Sequence, residues 1–398
     1  MKKVLVVFGT RPEAIKMAPI IKELEKKKNF NIKVCVTAQH RQMLDQVLKL
    51  FEITPHYDLD IMKANQDLYD ITINILDGIK RVLEDFNPDI ILVHGDTTTT
   101  CATSLAAFYK KIKVGHIEAG LRTYNLYSPW PEEANRQITS VLANYHFAPT
   151  VISKANLLKE NKKESNIVIT GNTVIDALFL VLNKINNSKE LKERILKNIL
   201  NQFKIVPTSI TSKDRKFILV TGHRRENFGN GFLDICASLK EIASRNPDFD
   251  IIYPVHLNPN VQKPVFKLLS EINNIFLIKP LQYEEFIYMM DRAYFIITDS
   301  GGVQEEAPSL GKPVLVMRNT TERPEAVEAG TVKLVGTNRD KIVKEAQKLI
   351  DNKEYYNSMS RANNPYGDGK ASKKIVDFLE LKIDNGEFKV ETREYAIK

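Results

Sequence analysis

The 398-residue chain reads as an α/β protein made of two doubly wound domains. Three observations predict this. Short apolar runs alternate with segments of helical apolar spacing, as in parallel βαβ units. The apolar runs lack the in–out alternation of a half-exposed sheet, as expected for strands covered on both faces. The alternation pauses around Ile167–Asn172 and residues 180–215 carry few strand signals, then it resumes.

Val4–Phe8 is a β-rich run, and Pro12–Glu25 follows with apolar residues at helical spacing. Ile32–Val36 and Arg41–Phe51 repeat the pair. Leu68–Phe86 is a longer helix leading into the strand Ile90–His94, and Thr98–Tyr109 leads to the strand Val114–Glu118. Beyond the pause, Phe217–Thr221, Asp250–Pro254, Ile275–Ile278, Phe295–Asp299 and Val314–Met317 alternate with the helical segments Phe232–Ser244, Val261–Leu269 and Phe286–Met290. The pattern divides the chain near residue 175, into 1–174 and 175–365. The tail, 384–398, is charged and reads as frayed. Ligands of such sheets sit beyond the carboxyl ends of the strands, and with two domains the cleft between them is the expected site.

Composition narrows the function. Hydrophobic residues make up 43% and charged residues 27%, as in a soluble globular protein. Lys and Arg number 57 against 49 Asp and Glu, a net +8 spread without a basic block; it fits an anionic substrate as well as a nucleic acid, and no nucleic-acid motif accompanies it. Cys35, Cys101 and Cys236 have neither disulfide-framework nor zinc spacing, so no metal is implied. The apolar run after Met1-Lys2-Lys3 is too short for a signal peptide, and no stretch is long enough to span a membrane. A cytoplasmic enzyme is expected.

The richest segment is Asp299-Ser300-Gly301-Gly302-Val303-Gln304-Glu305-Glu306-Ala307-Pro308, which follows the apolar run Tyr294–Thr298. Ser300, Gly301 and Gly302 open a helix at a strand end, where unpaired amides and the helix dipole favour a phosphate. Glu305 and Glu306, one turn in, can accept ribose hydroxyls. Phosphate and ribose together point to a nucleotide. Acids also favour any helix N-terminus, so turn-forming glycines and dipole-favoured carboxylates are the plainer reading.

Other polar residues also cluster after predicted strands. In Gly9-Thr10-Arg11-Pro12-Glu13, Thr10 and Glu13 resemble a capping box and Pro12 suits a first turn; capping leaves Arg11 unexplained, and its fork matches phosphate oxygens. This is not a GxGxxG fingerprint, so an NAD site is disfavoured. In His94-Gly95-Asp96-Thr97-Thr98-Thr99-Thr100, Asp96 fits a base, a sugar-hydroxyl ligand or a helix N-cap. Glu118, ending an apolar strand, is expected to have a pKa raised by burial, which suits proton abstraction; an ion pair with Arg122 is the alternative. Glu132 and Glu133 stand in the first turn of a helix, with Arg136 placed to pair with them on the surface. His223, Arg224 and Arg225 follow another strand and suit a second phosphate contact, with His223 able to protonate a leaving oxygen. His256 and Arg323 also follow strands.

Together, Gly9-Thr10-Arg11-Pro12-Glu13-Ala14-Ile15-Lys16, His94-Gly95-Asp96-Thr97, Gly115-His116-Ile117-Glu118-Ala119-Gly120-Leu121-Arg122, Gly222-His223-Arg224-Arg225-Glu226-Asn227 and Asp299–Glu306 closely resemble the non-hydrolysing UDP-N-acetylglucosamine 2-epimerases, from Val4 to about Leu379. The resemblance implies two Rossmann-like domains of the B-type glycosyltransferase architecture, with a last helix, about 366–382, crossing back onto the first domain. It implies a cytoplasmic homodimer that interconverts UDP-GlcNAc and UDP-ManNAc without NAD or metal, by eliminating UDP to 2-acetamidoglucal and adding it back, and that supplies ManNAc for surface polysaccharide.

Carried over by position, the resemblance puts Ser300, Gly301 and Gly302 on the diphosphate, Glu306 on the ribose, and Leu281 and Phe286 beside the uracil. Arg11, Lys16, His223 and Arg323 contact phosphates or sugar. Asp96 and Glu118 form the principal acid/base pair, Glu132 assists, and His223 acts on the phosphate side. Some members bind a second UDP-GlcNAc as activator; Gln39, His40, Gln42, Glu132, Arg224 and His256 match that site, but Asn65 stands where those members carry an arginine. The rival readings are a hydrolysing epimerase that releases free ManNAc and UDP, a B-type glycosyltransferase, and a catalytically silent UDP-sugar sensor.

Overall fold

The computed structural model describes residues 1–38, 41–63, 65–212 and 214–384, apart from the side chains of Gln42, Ile383 and Asp384. Gln39, His40, the Gln42 side chain and the tail beyond Asp384 therefore lie outside the described residues. The chain divides into two compact units, Met1–Ala177 with the segment from Gly367 onward, and Leu178–Tyr366.

The first unit runs β1 (Lys2–Phe8), α1 (Arg11–Glu25), β2 (Phe30–Val36), α2 (Arg41–Leu50), β3 (Tyr57–Asp58), α3 (Leu68–Phe86), β4 (Ile90–His94) and α4 (Thr98–Tyr109). It continues through β5 (Lys113–Ile117), α5 (Glu132–Leu142), β6 (Tyr145–Ala148), α6 (Val151–Lys159), β7 (Ile167–Ile169) and α7 (Thr173–Asn187), in which the unit boundary falls. Among the described residues its sheet has seven strands in the order β3-β2-β1-β4-β5-β6-β7, and every pairing is parallel. The order reverses at β1 and β4, which pair Val4 with Ile90.

The second unit begins with α8 (Lys189–Leu200), α9 (Thr208–Thr211), β8 (Lys216–Thr221), α10 (Asn230–Arg245), β9 (Phe249–Pro254), α11 (Pro259–Leu269) and β10 (Ile275–Ile278). Then come α12 (Tyr283–Arg292), β11 (Phe295–Thr298), α13 (Gly301–Ser309), β12 (Val314–Val316), α14 (Pro324–Glu328), β13 (Val332–Leu334), α15 (Arg339–Asp351) and α16 (Lys353–Ser360). Its six described strands are again all parallel, in the order β10-β9-β8-β11-β12-β13, with the reversal between β8 and β11. The last helix, α17 (Ala371–Asp384), belongs to the first unit and packs on α1. Asp176 caps it, accepting from the amides of Ala371 (3.1 Å) and Ser372 (2.8 Å), and Phe378 sets its edge against Tyr145 and Phe147.

Local chemistry explains the boundaries. Thr10 and Glu13 form the predicted capping box of α1, with Pro12 in its first turn. Asp67 and Asp70 do the same for α3, and Asn87 ends it in the left-handed conformation. The apolar runs become central strands with both faces buried: Leu5, Val7, Ile91, Val93 and Val114 meet Ile75, Ile79 and Leu83 of α3, and Ile218, Val220, Phe295 and Ile297 meet α10 and α15. Four strands were not predicted: β3, β6, β7 and β13. Where the alternation pauses, Ile167–Ile169 forms the edge strand β7, and the polar-interrupted run Tyr145-His146-Phe147-Ala148 forms β6. Strands this short are decided by their neighbours in the sheet rather than by their own pattern.

Candidate active site

In the first unit, the loops after β1, β4 and β5 converge. Glu118 leaves β5 with φ +61°, a left-handed conformation that costs a side-chain-bearing residue on the order of 1–3 kcal/mol and clusters at functional sites. The Lys16 ammonium, on α1, lies 2.7 Å from both Glu118 oxygens. Asn172 donates to Oε1 at 3.0 Å, and His94 Nε2 lies 3.0 Å from Oε2. The carboxylate side chain is only 7% exposed.

Two expectations are corrected here. Burial alone would push the Glu118 carboxyl up, but Lys16 and His94 outweigh it and hold the group well below the usual carboxylate range. Arg122 does not pair with Glu118; it donates to both oxygens of Glu160, at 2.6 and 2.8 Å.

Asp96 lies one residue before the N-cap of α4. Thr97 performs that capping, accepting from the Thr100 amide, so the capping reading of Asp96 is excluded. Instead Asp96 accepts a short hydrogen bond from Arg136, and its backbone carbonyl accepts from Asn135 at 3.0 Å. Nor is Arg136 a surface partner: it is 9% exposed and its other arm donates at 3.1 Å to Glu133, which is fully buried. Glu133 also takes the amides of Thr123 and Tyr124, both at 3.0 Å. Glu132, next to it, is half-buried and its carboxylate makes no hydrogen bond among the described residues.

In the second unit, the buried Asp299 at the end of β11 accepts from the amides of His223 (2.8 Å) and Arg224 (2.9 Å), which follow β8. The two strand ends are thereby fixed side by side. The His223 ring has Nδ1 3.3 Å from Asp299 Oδ1 and stacks on His256 with centroids 5.5 Å apart. Burial lowers the proton affinity of His223; Asp299 opposes this and His256 and Arg224 reinforce it, leaving the pKa below the ordinary value.

Ser300 caps α13, with Gly301 and Gly302 in its first turn. The Ser300 amide donates to Thr298 Oγ1 at 2.9 Å, so of the three amides predicted to be open, those of Gly301 and Gly302 are the ones that point out of the helix start. A side chain on Gly301 would place Cβ 2.7 Å from Arg323 Nη1, so the guanidinium lies directly over that turn. Arg323 Nε donates to Glu305 Oε1 at 2.5 Å, while Glu306 accepts from the Tyr283 hydroxyl at 2.8 Å. The sequence treats these two acids alike; the fold ties one to the arginine and the other to α12. Leu281 is buried just before α12 and Phe286, on α12, is half-buried.

Asn172, His94 and Tyr283 had no role assigned from the sequence. Asn172 follows a strand too short to recognise, and the signal that finds His94 is its place at the carboxyl end of β4. Among the described residues, no group of three His, Cys, Asp or Glu could hold a metal ion, and no helix is long and apolar enough to cross a membrane.

The family profile for UDP-N-acetylglucosamine 2-epimerase matches residues 22–380. A Campylobacter jejuni UDP-N-acetylglucosamine 2-epimerase is 65% identical over 387 residues, 97% of this chain and 99% of that protein. The crystal structure of UDP-GlcNAc 2-epimerase from Neisseria meningitidis bound to UDP-GlcNAc superposes with a TM-score of 0.86 at 57% identity, covering 95% of this chain and 100% of that one. The glycotransferase of kitacinnamycin, only 11% identical, shares the fold alone, with a TM-score of 0.63 over 96% of this chain and 98% of that one. Two Rossmann-like units of the B-type glycosyltransferase fold, and near-full-length identity well above half, make the chain a member of the UDP-N-acetylglucosamine 2-epimerase family.

Proposed function

We propose that the protein interconverts UDP-GlcNAc and UDP-ManNAc by elimination and re-addition of UDP, without hydrolysis, NAD or metal. A base removes the C2 proton; the C2–H electrons form the C1=C2 bond of 2-acetamidoglucal, and UDP departs with the C1–O electron pair. UDP oxygen then adds back to C1 as a proton reaches the other face of C2. No water is consumed.

The observation that carries the reading is Glu118, a buried carboxylate kept ionised by Lys16 and His94 and held in a strained backbone at a strand end. The ionised carboxylate has a lone pair for the C2 proton; its lowered pKa makes it a weaker base than an ordinary glutamate, so its placement, more than its basicity, suits it to the step. Asp96, oriented by Arg136, is its partner for the second face, and Glu132 assists. In the second unit, the first turn of α13 and Arg323 suit the diphosphate, where they stabilise charge on departing UDP. Ser300 adds a contact there, and Arg11, at the start of α1 in the first unit, suits a phosphate by its fork. His223, whose proton affinity burial lowers, takes up a proton more readily beside a phosphate dianion. Glu306, steadied by Tyr283, suits the ribose, and Leu281 and Phe286 the uracil. Arg224 and His256 flank His223 and suit the second, activating nucleotide.

The product supplies ManNAc units for a surface polysaccharide. The working form is a homodimer: α3, α4 and α5 pack side by side and expose Tyr69, Ile73, Tyr109, Ile138 and Val141, a concentration of apolar side chains that a second copy would cover.

Proton NMR of the protein with UDP-GlcNAc in D2O tests the chemistry. UDP-ManNAc carrying deuterium at C2 is expected. Accumulating free ManNAc and UDP would replace this reading with the hydrolysing one, and no exchange at C2 would leave a binding protein.

A further inference from the structure

The four consecutive threonines after Asp96 have no role in the chemistry, and Glu13 has so far been only a capping residue. Three of these threonines, Thr97, Thr99 and Thr100, join the hydrogen bonds around Glu13 and the strand ends beside it. Glu13 is 2% exposed. Its Oε2 accepts from the amides of Gly9 (3.1 Å) and Thr10 (2.8 Å) and from the Thr10 hydroxyl (2.8 Å). Its Oε1 accepts from the Thr97 hydroxyl at 2.7 Å. Thr100 Oγ1 lies 3.3 Å away, but its single hydrogen is better directed to the His94 carbonyl oxygen at 2.5 Å. Thr99 completes the set, sharing a 3.0 Å hydrogen bond with Thr37 at the end of β2.

We infer that Glu13 is a positioning residue that clamps the loop after β1 to the loop after β4, and so fixes Arg11 and Lys16 relative to Asp96 and, through Lys16, Glu118. The capping box accounts for the Oε2 bonds alone. It does not account for Oε1, which reaches 84 residues along the chain to the residue that follows Asp96. Each of these groups donates to the carboxylate, so an amide at position 13 would turn an NH2 toward hydrogen-bond donors and leave buried groups unsatisfied. Displacements well under an ångström at the reacting groups are enough to slow catalysis, because near-attack geometry is lost.

The inference rests on the proposed epimerisation for its kinetic arm only. In E13Q, kcat should fall on the order of 10- to 100-fold, and UDP affinity by calorimetry should weaken by a smaller factor, about tenfold at most, because Arg11 is one of several phosphate contacts. T97V, which also removes the N-cap of α4, should lose about tenfold in kcat, T97S, which keeps the hydroxyl for both bonds, should recover it, and T97V should cost less when added to E13Q than it does alone, since one of its two bonds is already gone. Hydrogen-exchange mass spectrometry of E13Q should show faster exchange at residues 9–12 and 95–98 with the remainder of the unit unchanged. A kcat for E13Q within about twofold of wild type, or exchange raised throughout the unit, overturns the inference. If E13Q does not fold, the T97V and T97S pair decides by the same exchange measurement. If the wild type proves inactive on UDP-GlcNAc, the activity reading fails while the exchange data still test the clamp.

Discussion

Lys16 and Glu118, 102 positions apart in the chain, meet at 2.7 Å through both carboxylate oxygens. Neither residue type nor local spacing distinguishes this pair from the many lysines and glutamates on the surface. What brings them together is the parallel sheet, which sets the carboxyl ends of β1, β4 and β5 in a row and aims the loop of one strand at its neighbour. The ammonium changes the chemistry of its partner, keeping a buried carboxylate charged against the upward push of burial on its pKa.

Removing that ammonium should raise the pH at which Glu118 takes up its proton. In K16M, burial is opposed by His94 and the Asn172 hydrogen bond without the ammonium, so the acidic limb of the kcat/KM profile is expected to move to higher pH. E118Q should lose about 10²- to 10⁴-fold in kcat and in C2 deuterium exchange; unchanged exchange in E118Q removes Glu118 from the chemistry. The depressed carboxyl also stabilises the fold only above its unfolded pKa of about 4.3, a contribution lost as pH falls toward the folded value.

Acid should destabilise the first unit earlier than carboxylates alone predict. Burial lowers His116 to about 3 and His146 to about 4, with nearby cationic groups adding to the shift. The unfolded chain binds protons below about pH 6.5 and the folded chain does not, so stability falls as pH drops. By pH 5 each histidine costs about 2 kcal/mol relative to neutral pH. Urea midpoints at pH 7 and pH 5 measure the loss. In H116Q the loss should shrink by about that amount, since the glutamine amide can still donate to the Gly95 carbonyl that His116 holds at 2.7 Å. An equal loss in H116Q contradicts the assignment.

The two glycines of α13 should respond differently to the same methyl group. At Gly301 the new Cβ would lie 2.7 Å from Arg323 Nη1, so G301A must displace the guanidinium and should weaken both folding and UDP binding. At Gly302 the nearest protein atom is Glu306 Oε2 at 3.7 Å, so G302A has room in the unliganded protein. Its melting temperature should hold within about 2 °C. UDP affinity should nonetheless fall at least tenfold, because the methyl occupies the space assigned to the diphosphate. Full UDP affinity in G302A moves the phosphate elsewhere.

The exposed apolar helices predict how the protein associates. V141E with I73E puts charge on α5 and α3, at positions 71% and 62% exposed, where it should cost little in a monomer. Sedimentation velocity should show the wild type as a dimer and the double variant as a monomer with an unchanged far-UV spectrum. A dimeric double variant places the interface on another surface.

Much of this protein was determined by its local sequence. Apolar runs without in–out alternation, spaced by amphipathic helices, can be satisfied only by parallel sheets covered on both faces, and polar residues just past such runs fall at the ligand end of the sheet. That logic puts Gly9–Lys16, His94–Asp96, Glu118, His223 and Ser300–Glu306 at or just past the carboxyl ends of strands, where the structure has them. Tertiary structure decided the partnerships. Glu118 joined Lys16, His94 and Asn172 rather than Arg122; Asp96 joined Arg136 and left the capping to Thr97; Glu305 went to Arg323 and Glu306 to Tyr283. Helical and strand periods encode which face a residue occupies within its own element. Which residue of a distant element it meets depends on strand order and register, and with those partners comes the charge that sets each proton affinity.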